Sequence, residues 1–132
     1  TALLFFDNIA YHDYEGLVFD ESECGRLLAD LGDKHFMMLR NHGTLAVGET
    51  AAEAYQRIYF LERSCAIQIL ASSGGAELIL CSDDLIDKVT EQVTSAARSR
   101  QTNNAAQSGP PGGLVWAALT RLLDREDPSF RD

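Results

Sequence analysis

One imidazole stands at a sharp break in the apolar pattern of this chain, in Leu39-Arg40-Asn41-His42-Gly43-Thr44-Leu45-Ala46-Val47-Gly48. An apolar run ends at Leu39, a polar turn follows, and a second short apolar run reaches Val47. A histidine at such a tip is held rigidly, and Gly43 beside it permits a close backbone approach. Three roles suit that setting: metal ligand, general base or simple turn residue. Zinc binds imidazole nitrogens, but a catalytic zinc needs about three protein ligands. His12 lies thirty residues before His42 and His35 seven before it, so neither forms an H-x-H or H-x-x-x-H pair with it. On spacing alone the three roles stay open.

Other chemistry-bearing residues are weaker candidates. Tyr11, His12, Asp13, Tyr14 and Glu15 gather phenol, imidazole and carboxylate within five residues. That set could line a pocket as general acids and bases, or form a solvated loop anchored by its aromatics. Glu62 falls near the apolar stripe of a long helix and is expected to serve as a salt-bridge partner. Ser64 lacks the His/Asp pattern of an activated nucleophile. The glycines at 74–75 and 109–113 have no phosphate-loop spacing. Cys24, Cys65 and Cys81 are odd in number and far apart, which argues against a disulfide framework or a thiolate zinc site. Cys24 and Cys65 fall on apolar helical faces and are expected to be small buried hydrophobes.

The elements that must position these groups follow from periodicity. Leu3 to Phe6 reads as a buried strand, residues 8–16 as a polar loop, and Leu17-Val18-Phe19 as a short strand. Helix 21–31 has Asp20 as its cap, an apolar stripe of Cys24, Leu27, Leu28 and Leu31, and Gly32 as its stop. His35 to Leu39 reads as a central strand, and Leu45-Ala46-Val47 as its return. Thr50-Ala51-Ala52-Glu53 is a capping box that opens the longest helix, 51–72, with Ala54, Ile58, Leu61, Cys65 and Ile69 inward. Tyr55, Tyr59, Phe60, Ile67 and Leu70 carry apolar surface well beyond that stripe, which predicts burial in a deep core or against another subunit. Leu78-Ile79-Leu80 is a further apolar element. Helices are expected over 83–98, with Leu85, Ile86, Val89 and Val93 inward, and over 113–125, with Leu114, Val115, Ala118, Leu119, Leu122 and Leu123 inward. The polar stretch 101–113 between them reads as a mobile loop.

Four helices against four or five short strands, with no β-α-β regularity, imply an α/β fold layered on a mixed or antiparallel sheet. The helical faces want a larger sheet than these strands provide, so the chain reads as part of a domain or as a domain completed by partners. Its 132 residues make one domain's worth of chain. The net charge of −9 argues against nucleic acid as a partner. No window of about 18 apolar residues could span a membrane, and no secretory leader is visible, so a cytoplasmic protein is expected.

Several segments together resemble the class II aldolase/adducin family. They are Leu31-Gly32-Asp33-Lys34, Met38-Leu39-Arg40-Asn41-His42-Gly43, Gly48-Glu49-Thr50 leading into Ala51-Ala52-Glu53-Ala54, and Leu61-Glu62-Arg63-Ser64-Cys65-Ala66-Ile67-Gln68. The likeness runs from about residue 9 to residue 80. It implies a three-layer α/β/α sandwich around a mostly antiparallel sheet, incomplete here at its N-terminus, and assembly as a homo-oligomer, a cyclic tetramer. In the family's sugar-phosphate enzymes the turn histidine is one of three zinc ligands, which makes His42 the metal ligand here. Zn2+, or another divalent metal, is the implied cofactor. The other two histidines, a catalytic acid and the phosphate-binding loops are expected outside this sequence. The implied activity of the full-length protein is that of a zinc-dependent lyase or epimerase acting on a small sugar phosphate or related hydroxy-carbonyl compound. This chain alone is then expected to be inert and to hold zinc weakly. Adducin heads share the Arg-Asn-His-Gly turn, so the alternative is a non-catalytic oligomerisation and binding module.

Overall fold

The structure, a computed structural model, describes residues 5, 7–16, 22–103 and 112–131, the side chains of 96–103 excepted. The order of elements is β1 (Ile9–His12), α1 (Ser22–Leu31), β2 (Phe36–Leu39), β3 (Gly43–Ala46), α2 (Ala51–Ser73), α3 (Asp83–Asn103) and α4 (Gly113–Glu126), followed by a 3-10 turn at Pro128–Arg131. The expected strand over 17–19, the Asp20 cap and most of the strand over 3–6 lie outside the described residues.

The sheet has the order β1-β2-β3. β1 runs parallel to β2, with Ile9 opposite Phe36 and His12 opposite Leu39. β2 and β3 form an antiparallel hairpin in which Phe36 faces Ala46 and Leu39 faces Gly43. The described sheet is therefore mixed, which corrects the expectation of a mostly antiparallel one. β1-α1-β2 is also a β-α-β unit, a pattern the periodicity did not reveal. The cause is local: Ile9 to His12 looks like a polar loop because its inward positions carry a small alanine and a histidine. Parallel pairing needs a crossover, and α1 supplies it.

Strand alternation sends successive side chains to opposite faces, and each face is covered by one helix. On one side Ala10, Met37 and Leu31 are buried together, with Leu27, Leu39 and Leu45 against them, so α1 packs there. On the other side Phe5, Phe36 and Leu61 form a core with Ile9, Met38, Ala46, Ile58 and Cys65, so α2 packs there. Phe5 meets Phe36 edge to face with ring centroids 4.7 Å apart.

α2 begins as its sequence requires. The Thr50 hydroxyl accepts from the Glu53 N–H at 3.2 Å, and the Glu53 carboxylate accepts from the Glu49 N–H at 2.9 Å. Gly48 must be small, because a Cβ there would lie 2.7 Å from the Ala54 nitrogen. Gly112, at φ 78°, brings α4 so close to α2 that a Cβ would stand 2.5 Å from the Ala52 carbonyl oxygen. Trp116 then packs edge-on to Tyr55 at 5.9 Å.

Much apolar surface stays uncovered. Ile67, Ile69 and Leu70 at the far end of α2 are exposed, and so are Leu78, Ile79 and Leu80, which form no regular element. Ile69 thus departs from its expected inward position. Leu85 and Val93 of α3 are exposed, as are Leu114, Val115, Leu122 and Leu123 of α4, also contrary to expectation. α3 continues through Asn103, so residues 101–103 of the expected loop are helical, and residues 104–111 lie outside the described residues. The total accessible surface is 10242 Å². A compact monomer of 14.5 kDa exposes roughly 6,900 Å². These helices present faces that the described residues do not cover.

Candidate functional site

The hairpin between β2 and β3 fixes His42. The His42 N–H donates to the Leu39 carbonyl at 3.0 Å, closing a four-residue turn. Asn41 has φ 58°, a conformation that asparagine tolerates better than most residues. Arg40 N–H donates to the His12 carbonyl at 2.9 Å, which ties the hairpin to the carboxyl end of β1. The imidazole of His42 therefore stands exposed on a constrained turn, at the carboxyl edge of the two parallel strands. Ligands of α/β sheets gather along that edge.

The segment after β1 reaches the same rim. Tyr14 places its ring 6.2 Å, centroid to centroid, from that of His42. The Arg40 guanidinium lies 5.1 Å above the Tyr11 ring and donates to Asp13 Oδ1 at 2.6 Å. Glu15 is bonded by Arg26 of α1, and the guanidinium holds its carboxyl below the usual carboxylate range. Tyr11, Asp13, Tyr14 and His42 are thus brought to one edge, while His12 turns away from it.

His12 is 5 % exposed and points to the α1 face. Its Nδ1 lies 2.7 Å from Asp30 Oδ2, and its Nε2 lies 3.8 Å from Glu23 Oε1. The Asp30 hydrogen bond raises the His12 pKa above the ordinary 6.5 against the opposing effect of burial, with the charges of Asp30, Glu15 and Glu23 adding to the rise. Neither Asp30 nor Glu23 was read from sequence as a partner of His12. The signal was present: Glu23, Leu27 and Asp30 share one helical face, turned towards a strand histidine. That face also explains Cys24 and Leu28, which were expected to be buried and are exposed, because α1 is rotated to bring its carboxylates inward.

The remaining candidates fall elsewhere. His35 sits at the opposite end of β2, where its N–H donates to Asn8 Oδ1 at 2.9 Å. It borders a shallow cleft of about 270 Å³ with Glu49, Glu53 and Arg57. Glu62 accepts a hydrogen bond from the Thr44 hydroxyl, joining α2 to β3 just past the turn, in place of the expected salt bridge. Ser64 is buried on α2 with its hydroxyl lacking a hydrogen-bond partner. Cys65 is half-buried beside the α2-side core, and burial, with the Glu62 charge, pushes its thiol pKa up. Cys81 is exposed. Among the described residues no three His, Cys, Asp or Glu side chains come together to hold a metal ion. His42 presents one donor, so the described residues do not by themselves fit a complete zinc site.

The sequence profile of the family described as "Class II Aldolase and Adducin N-terminal domain" matches residues 1–69. The chain belongs to the class II aldolase and adducin family. Within that family, the chain is 42% identical over 132 residues to the "Putative aldolase class 2 protein" of Caulobacter vibrioides, covering 99% of the chain and 47% of the relative. It is 37% identical over 125 residues to alpha-adducin of Mus musculus, covering 89% of the chain and 16% of that protein. The solved structure of an aldolase II superfamily protein from Pseudomonas syringae superposes with a TM-score of 0.79 at 42% identity, covering 99% of this chain and 49% of that one. L-fuculose 1-phosphate aldolase from Glaciozyma antarctica gives a TM-score of 0.54 at 25% identity, over 69% of this chain and 33% of that one. The chain thus spans about half the length of the bacterial class 2 aldolase relative. No helix among the described residues is long and apolar enough to cross a membrane.

Proposed function

We propose that this chain supplies the turn imidazole, His42, of a divalent-metal site whose other ligands come from outside residues 1–132. The whole protein then acts as a class II aldolase-type lyase or epimerase in the cytoplasm. Its metal is zinc or another divalent ion, and its substrate a small sugar phosphate or related hydroxy-carbonyl compound. The observation that carries this reading is the exposed His42, fixed on a hydrogen-bonded turn at the carboxyl edge of β1 and β2 in a member of this family. The fold alone would not choose a chemistry. The fuculose-phosphate aldolase neighbour supports the substrate class.

Within this chain the contribution is positional. The turn fixes the imidazole, Tyr14 flanks it, and the paired Arg40 and Asp13 make the adjoining rim polar. Residues 1–132 alone are expected to bind zinc weakly and to be inert, and stoichiometric zinc at submicromolar affinity on that segment would contradict this. The uncovered faces of α2, α3 and α4 support a homo-oligomer, a tetramer in our reading, for which a monodisperse monomer of the full-length protein in light scattering would be the contrary result. The test of activity is turnover of a panel of sugar phosphates and hydroxy-aldehydes by the full-length protein, with and without chelator. Chelator-sensitive carbon–carbon cleavage or epimerisation is expected.

A second reading is a non-catalytic adducin-head-like module for oligomerisation and binding. The identity to alpha-adducin and the exposed apolar faces favour it. A full-length protein that oligomerises but turns over no member of the panel would support it instead.

A further inference from the structure

We propose that His12 is a positioning residue in its protonated form: held between Asp30 and Glu23 of α1, its ring pins the carboxyl end of β1 and so sets the segment that lays Tyr14 against His42. The geometry demands the extra proton. His12 Nδ1 engages Asp30 Oδ2 at 2.7 Å, whereas Nε2 is buried, has no hydrogen-bond partner among the described residues and faces Glu23 Oε1 at 3.8 Å. A neutral ring with its proton on Nδ1 would aim a bare, buried nitrogen lone pair at the Glu23 carboxylate. The buried acceptor would be unsatisfied and the electrostatics repulsive. An imidazolium keeps the Nδ1–H bond to Asp30 and turns the 3.8 Å approach of Nε2 to Glu23, too long for a hydrogen bond, from repulsion into attraction.

The surroundings reinforce this. α1 contributes Glu23, 14% exposed, and Asp30, 48% exposed. The segment after β1 contributes Glu15, which is engaged by Arg26. β2 contributes the apolar Leu39 as the paired strand residue. Arg40 reaches His12 through its backbone N–H, while its guanidinium is committed to Asp13 and Tyr11. Arg26 and Arg40 thus hold Glu15 and Asp13, while Asp30 and Glu23 face the ring.

Tyr14 lies two residues beyond His12, so the clamp ends where the rim begins. When the proton leaves as pH rises, Nε2 faces Glu23 unpaired, the hold of α1 on β1 weakens and Tyr14 loses its fixed placement. This inference concerns the rim's geometry and stands whatever His42 binds.

The test uses the full-length protein labelled with ¹³C in its histidine and tyrosine rings, followed by NMR across pH. His12 is expected to titrate above 6.5, and Glu23→Gln and Asp30→Asn are each expected to lower its midpoint. The Tyr14 ring signals are expected to show an inflection at the His12 midpoint, and His12→Gln should remove it. A wild-type His12 midpoint at or below 6.5 overturns the proposal without any variant being needed. So does a Tyr14 inflection that persists in a folded His12→Gln protein.

Discussion

Substitutions at Asn41 probe how the turn holds His42. Asn41 is exposed and sits at φ 58°, so its replacement changes backbone strain with little change in packing. A residue with a Cβ in this left-handed region carries about 1–2 kcal/mol of strain, which asparagine partly offsets by local hydrogen bonding. Asn41→Ala is therefore expected to lower the unfolding free energy by about 1 kcal/mol, and the β-branched Asn41→Val by about 2 kcal/mol. Asn41→Gly removes the strain but adds freedom to the unfolded chain, leaving stability within about 0.5 kcal/mol of wild type. A loss of 1 kcal/mol is a roughly fivefold change in the folding equilibrium, readily measured as a shifted urea midpoint. Because the His42 N–H closes this turn, metal affinity should fall in the same order, valine most and glycine least. Equal midpoints for all four proteins, or glycine as the most damaging change, would refute the turn as the device that fixes the imidazole.

Leu61, 1% exposed at the centre of the α2-side core, should cost about 2–5 kcal/mol as Leu61→Ala by denaturant unfolding. Gly112→Ala places a Cβ 2.5 Å from the Ala52 carbonyl at an already left-handed φ, and should push α4 off α2. Trp116 is the single tryptophan of the chain, so fluorescence quenching in this segment reads that displacement directly, and unchanged quenching would count against the packing. His12, whose folded pKa is raised, contributes stability that is full below about pH 6.5 and is lost as pH rises through the folded value. Glu15, whose pKa is lowered, contributes the opposite way: present above about 4.5 and lost as pH falls through its folded value. Stability profiles of His12→Gln and Glu15→Gln against pH should flatten on these two separate limbs, and a profile flattened on the wrong limb would overturn the assignment.

The parts of the fold legible in the sequence are those whose signals are local. The capping box at Thr50 and Glu53, the apolar run ending at Leu39 and the Asn41-His42-Gly43 turn each carry their structure in adjacent residues, and each formed as expected within a residue or two. β1 was hidden because its strand character rests on pairing with Phe36 to Leu39 across an intervening helix. The rotation of α1 was hidden for a related reason. Counting apolar positions favoured Cys24 and Leu28, whereas a buried histidine on β1 draws Glu23 and Asp30 inward. The exposed faces of α3 and α4 carry amphipathic patterns that match an interior which the described residues do not enclose. At the site, the prominence of His42 and its neighbour Arg40 was visible, but Tyr14 is brought to it only through the parallel strand pairing.

The central claim is that His42 is a metal ligand of the full-length protein. Its most direct measurement is bound divalent metal, by elemental analysis after equilibrium dialysis, in the full-length wild type and in His42→Ala, with folding checked by circular dichroism. Losing an outer-shell partner weakens metal binding by about 10–100-fold, and losing a ligand should exceed the top of that range. The account predicts near-stoichiometric metal in the wild type and a folded His42→Ala protein whose affinity has dropped more than roughly 100-fold. Equal metal retention by the two proteins, or no metal in the wild type, would contradict it.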